Sequence, residues 1–429
     1  MPPPPPNAGT SPLSKIDRWI VNYMTFAAGL FVLSYVVAYV RNQSWAFYGT
    51  AMVLTFLILI KALIVPSARA ALRGRATVMI SVLFAVALFN IIVAQNMETP
   101  LRWLLWLLIV VCLNRVVGAA DGRWVNELIR RLPYMFFAIY LTLIVVARFI
   151  RDEEAIRFAY HLSGLYGNLI LATGLFAGKL WQRLTWSAIG LVAIYLSGAG
   201  GALFTVPIMF VPYILYSTTS MPVKGMTVTT LLIIGGVFFF GSDLFGQFLD
   251  IKLNLDYSDN SASGLDRLEH SGDLRLQLVK FGWFLAQEHP LGTGLGHTYS
   301  DEILSTYNVS HVHNGTITML VELGFPGFTA IFCLMAWMMW SILRSPHIEN
   351  QLKGFYFTYF FTVFGRSLSE NYTPFDLGNF FNYVFLIVSI SLFLHLRVAQ
   401  SSRRPAAHLA PPPGLMMPPM RPQPPLHAR

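Results

Sequence analysis

"WAFYGTAMVLTFLILIKALIV", residues 45–65, carries a single charge, Lys61. At a rise of about 1.5 Å per residue, a helix of this length covers about 30 Å, the thickness of a bilayer's hydrocarbon core. Apolar runs of this kind recur along the 429 residues, which are 55% hydrophobic and only 12% charged, with a mean hydropathy of +0.55. A soluble chain of this size needs a far more charged surface. The sequence is therefore expected to be an all-α polytopic membrane protein. Twelve spans are predicted, at about 19–40, 45–65, 76–95, 102–120, 132–150, 164–181, 184–199, 201–218, 226–246, 314–343, 354–368 and 377–396. The sixth to eighth and the eleventh are the shortest or the least separated from a neighbour.

The formal charge of +9 does not point to nucleic acid, because the basic residues alternate between loops. Arg69, Arg73, Arg75, Arg115, Arg123, Arg130, Arg131, Lys179, Arg183, Lys224, Arg344 and Lys353 fall in or beside one set of loops. The other set holds Arg41, Arg102, Arg148, Arg151, Arg157 and Arg366. Lysine and arginine enrichment marks cytoplasmic loops, so both termini are expected inside. The first apolar run reads as a retained anchor rather than a cleaved signal. The two ends, 1–18 and 397–429, are proline-rich and are expected to be disordered tails. Between them the organisation is spans one to nine over 19–246, an outer loop over 247–313, and spans ten to twelve over 314–396. Cys112 and Cys333 lie inside apolar runs, where packing is the simpler role.

An outer loop of this length is expected to be functional. It begins acidic and turn-rich, and "LRLQLVKFGWFLAQEHP" (274–290) then reads as a helix lying along the membrane surface, broken by Pro290 and the glycines after it. At the end of the loop stand His311 and His313. The tenth span follows with Asn314, Thr318 and Glu322 at four-residue spacing, on one helix face. Asn314 suits a helix cap, and Glu322 suits a buried packing brace, since a charge inside a span needs a partner. His313, at the water boundary, suits binding or catalysis. Arg275 suits either a snorkel to lipid phosphates or a bidentate clamp on a phosphorylated lipid. "LGTGLG" (291–296) lacks the G-x-G-x-x-G spacing and a βαβ context, which speaks against a dinucleotide site. No D-x-D, G-x-S-x-G or P-loop pattern appears, and a lone His311/His313 pair is poor evidence for a metal. No metal and no cofactor are expected.

Arg275, "EHPLGTGLG" (288–296) and "HNGTITMLVELGFPG" (313–327) together resemble the O-antigen ligase and Wzy-type polysaccharide polymerase superfamily, including exopolysaccharide polymerases. "HLSGLYGN" (161–168) is weakly similar to another segment of that family. The resemblance implies about twelve spans in a GT-C-like architecture and a periplasmic active site in the bacterial inner membrane. It implies an undecaprenyl-diphosphate-linked glycan as donor and a second glycan or lipopolysaccharide core as acceptor. Chain-length regulator proteins are candidate partners, alongside membrane lipids. His313 would be catalytic, as base or acceptor-orienting group. Arg275 would hold the lipid diphosphate, and His311, Asn314, Glu322 and Glu370 would support the site. One position departs from the family pattern: Gly200 in "LSGAGGAL" (196–203) stands where a basic residue is usual, and Arg366 in "GRSLSENYTP" is the leading substitute. "RSLSEN" leans toward a polymerase over a ligase. A flippase or transporter is the competing class, although no internal repeat of the kind such proteins carry is apparent.

Overall fold

The computed structural model describes residues 13–41, 45–65, 75–94, 97–120, 122–147, 153–197, 200–240, 264–296, 314–346, 348–368, 370, 372–373, 375 and 379–401. The proline-rich ends beyond these bounds, residues 241–246 at the end of the expected ninth span, and residues 247–263 and 297–313 of the long loop lie outside the described residues. Every described element is a helix: α1 (Lys15–Arg41), α2 (Trp45–Ile64), α3 (Arg75–Val93), α4 (Glu98–Gly118), α5 (Trp124–Ala147), α6 (Glu153–Gly174), α7 (Leu180–Leu196), α8 (Gly200–Tyr216), α9 (Met221–Phe240), α10 (Gly264–Glu288), α11 (Gly315–Arg344), α12 (Asn350–Ser367) and α13 (Phe380–Ser401). Each of the twelve expected segments contains a helix, and α10 is the additional one.

Among the described residues, α1 to α5 and α11 are long and apolar enough to cross a bilayer, and shorter apolar stretches occupy Thr205–Tyr216, Met221–Ile233 and Phe380–Phe393. Large apolar side chains face outward on these helices, including Phe56, Leu63, Ile64, Phe84, Ile92 and Leu104. Water would not tolerate such a surface, whereas lipid does. The chain is a helical membrane protein.

Inside, aromatic rings fill the space where α1, α5, α6 and α13 meet. Phe31, Tyr35, Phe136, Tyr166 and Phe380 are all fully or almost fully buried there. Tyr35 Oη donates to Asn379 Oδ1 (2.9 Å) and lies 3.2 Å from Tyr166 Oη, so the polar tips of the two rings are partnered. Helix α6 is wrapped by protein, with Leu162 through Phe176 buried without interruption. A helix that meets protein on all sides can carry Ser163, Asn168 and Thr173, which is why its apolar signal is weak. Asn168 Nδ2 bonds the Ala202 carbonyl (2.9 Å), and Thr173 bonds back to Leu169 (2.7 Å).

Helices α6 and α7 touch backbone to backbone. A Cβ on Gly190 would come within 2.5 Å of Leu171 N, and one on Gly167 within 2.8 Å of Ile194 N. Small residues at such crossings allow the close packing that holds membrane helices together. Helix α10 does not simply lie on the surface: Leu278, Leu285 and Ala286 pack against Leu320 and Val321 of α11. Cys112 is buried, while Cys333 faces outward from α11, where packing against protein does not explain it. Gly190→Leu is expected to force α6 and α7 apart and to cost about 1–3 kcal/mol. The thermal midpoint in detergent should fall by several degrees, and an unchanged midpoint would show that this crossing is not limiting.

Candidate active site

The site is built around a break in α11. In a regular helix the carbonyls of Val321 and Glu322 would accept from the N–H groups of residues 325 and 326. Residue 326 is proline, which has no N–H. Gly324 leaves the helical conformation (φ 67°, ψ 174°), and the Phe325 N–H turns away to donate to the Pro290 carbonyl (3.0 Å). Two carbonyls are thereby exposed in a buried place, and the turn at 290–296 occupies them. Thr293 N–H donates to Val321 O (3.0 Å), and Gly294 N–H donates to Glu322 O (2.9 Å). Asn90 Nδ2 adds a second donor to Glu322 O (2.9 Å).

The glycines of both segments follow from this contact. Gly292, Gly294, Gly296 and Gly324 all have positive φ. A Cβ on Gly292 would come within 2.6 Å of Glu322 O, and one on Gly324 would collide with the carbonyl carbon of Leu291. The turn is held from the other side by Asn90 Oδ1, which accepts from Leu295 N–H (3.0 Å) and from Trp103 Nε1–H (3.0 Å). Thr99 Oγ1 donates to Leu295 O (3.0 Å). Arg102, paired with Glu98 and bonded to Tyr48 Oη (2.9 Å), packs on Gly296.

The start of α11 is fixed by the segment after α12. Asn314 caps α11, its Oδ1 accepting from Ile317 N–H (3.0 Å), while its Nδ2 donates to the Leu368 carbonyl (3.1 Å). Gly315 N–H donates to Glu370 O (2.9 Å), and Tyr372 backbone fits so closely over Gly315 that a Cβ there would overlap it. Here Arg366 and Glu370 are both buried, Arg366 completely. Arg366 Nη2 donates to the His161 carbonyl (3.1 Å), and its guanidinium lies 6.0 Å from the centre of the Tyr372 ring. His161 Nδ1 stands 3.3 Å from Glu370 Oε1.

Asn314, Arg366 and Glu370, read separately from the sequence, thus come together with His161. Glu322 is buried, eight residues or about 12 Å further along α11. Arg275 lies on α10 in a stretch, 264–275, whose side chains fall outside the described residues. His311 and His313 also fall outside them, as does the side chain environment at Gly200. His161 was not singled out. A buried acid such as Glu370 needs a partner, and that requirement was the available signal.

Beside this cluster opens an apolar cleft of about 610 Å³ between α8, α11 and α12. It runs from Gly315, Thr316 and Tyr372 to Leu343 and Tyr216, roughly 40 Å along α11. Val211, Leu215, Phe332 and Trp340 on its walls are exposed, so it is open toward the side of the bundle.

Residues 185–332 match the family model described as O-antigen ligase. This match over about a third of the chain supports a likeness to the O-antigen ligase/Wzy-type superfamily. The matched stretch contains Arg275, the 290–296 turn and the broken half of α11, so the family segment includes both partners of the contact at Gly324. It ends before Arg366 and Glu370 and begins after His161. No curated protein matches the chain. Gly324→Ala is expected to strain the α11 break by about 1–3 kcal/mol. Hydrogen exchange at residues 291–296 should then accelerate while α1 and α5 stay protected; unchanged exchange in the turn would contradict its dependence on the break.

Proposed function

We propose that the chain is a membrane glycosyltransferase that moves a glycan from an undecaprenyl-diphosphate carrier to an acceptor on the periplasmic face of a bacterial inner membrane. The cleft beside α11 carries this reading. It is long, apolar and open to the side, which suits a polyprenyl tail; at one end it is lined by Gly315 and Tyr372, which touch Glu370 and Arg366 behind them, and a diphosphate-linked head suits that neighbourhood. Twelve spans in a GT-C-like arrangement, with both termini cytoplasmic, would put that end outside.

The chemistry needs three things. The diphosphate must be held as it leaves, the acceptor hydroxyl must be aimed, and its proton must have somewhere to go. In the proposed step the acceptor oxygen attacks the anomeric carbon. The bond from that carbon to the phosphate oxygen breaks, and its electron pair leaves with the diphosphate. The acceptor proton passes to an imidazole, assigned to His313 as base or acceptor-orienting group. Arg275 stabilises the charge that grows on the leaving group. Arg366 contributes its positive charge from beneath, because it is fully buried. Asn314, Glu322 and Glu370 hold the framework, and His311 assists beside His313. A single displacement inverts the anomeric centre. The donor is already activated, so no nucleotide sugar is needed.

The favoured acceptor is another lipid-linked repeat unit, which makes the chain a surface- or exopolysaccharide polymerase. The family description favours a second reading, transfer to lipopolysaccharide core. Purified chain in liposomes, given lipid-linked repeats without nucleotide, separates these: longer glycans indicate a polymerase and glycosylated core a ligase. Absence of any new glycosidic bond returns the chain to a transporter or a non-catalytic scaffold. His313→Ala is expected to lower the transfer rate by at least about 100-fold while membrane insertion stays normal. Wild-type rates in that variant would remove the assignment.

A further inference from the structure

We infer that His161, held by Glu370, is the group that contacts the donor's diphosphate in the cluster at the head of the cleft. This rests on the reading above. Arg366 is the strongest cation of the cluster, yet it is completely buried and its Nη2 is directed to the His161 carbonyl. It therefore braces the α6 backbone at the residue that carries the imidazole. Glu370 is buried too, and its backbone is bonded on both sides, to Arg366 O (2.9 Å) through its N–H and from Gly315 N–H (2.9 Å) through its carbonyl. His161 differs from both, because a third of its side chain is exposed.

Among the described residues, Glu370 is the charged group facing the ring. His161 Nδ1 faces Glu370 Oε1 at 3.3 Å, a separation at which a carboxylate attracts an imidazolium. An imidazolium has donors on both nitrogens, so with Nδ1 on the carboxylate the second donor can serve a phosphate, and the ring would bridge the two anions. Tyr372, which lines the cleft's polar end, lies against Arg366, and Gly315 of the same end bonds Glu370. A lipid tail seated in the cleft would deliver its head to this group. His161 thus supplies on α6 a phosphate contact that buried Arg366 does not present.

The test uses detergent-purified full chain with three probes: farnesyl diphosphate, farnesol and phosphatidylglycerol. Wild type is expected to bind farnesyl diphosphate at least tenfold more tightly than farnesol. His161→Gln, which keeps size and polarity without the charge, should lose that preference while binding farnesol as before. His161→Arg should restore it to within about threefold. Diphosphate affinity unchanged in His161→Gln would overturn the assignment, since a merely structural histidine predicts that result. If His161→Gln loses farnesol as well, His161→Arg decides: recovered preference supports the contact and absent preference overturns it. Phosphatidylglycerol competing as well as the diphosphate would also overturn it. Failure of the wild type itself to prefer the diphosphate would instead sink the proposed donor site, and this inference with it.

Discussion

A missing amide hydrogen organises this molecule. Because residue 326 is proline, α11 cannot close its hydrogen-bond ladder at Glu322, and the orphaned carbonyls must find donors inside a bundle that offers little water. The turn at 290–296 provides them, and Asn90 of α3 joins from the side. One helix irregularity thereby ties α3, α4, the end of α10 and α11 into a single unit. The segment between α9 and α11 is pinned at this place, and the first half of α11, which follows the histidine pair in the chain, packs against α10. Glycine is required at 292 and 324 because two backbones occupy the space a Cβ would need.

The other end of that half-helix is fixed with equal care. Asn314 both caps α11 and reaches the chain leaving α12, so the two helices are joined at their polar ends although an apolar cleft separates them along their length. A lipid-linked substrate would exploit such a shape. Its tail would be sorted by the cleft and its head by the Arg366–Glu370–His161 cluster, with no need to pass through the closed aromatic core around Tyr35 and Tyr166.

Much of the fold was legible in the sequence, for a physical reason. Helices whose faces meet lipid, such as α2 and α3, must be apolar almost all round, and their runs stand out. Helices α6 and α12 meet protein instead and carry buried Ser163, Asn168, Thr358, Thr362 and Arg366, so hydropathy describes them poorly. Pro290 and the glycines after it announced the end of a helix and Asn314 a cap, and both are present, whereas the docking of that turn on α11 was not read. What could not be read was partnership across long separations. Nothing local to "HLSGLYGN" says that His161 meets Glu370, more than two hundred residues away in the chain. Arg366 was legible as a cation at a span's end, but its burial depends on how α6 and α12 pack.

The central claim is that a polyprenyl diphosphate lies along α11 with its head at the cluster. Photo-labelling of the full chain with a diazirine-bearing polyprenyl diphosphate, followed by peptide mapping, tests this most directly. Label concentrated in residues 315–343 and 357–372 is the predicted result. Label confined to the outward faces of α2 and α3, with none along α11 or α12, would contradict the account.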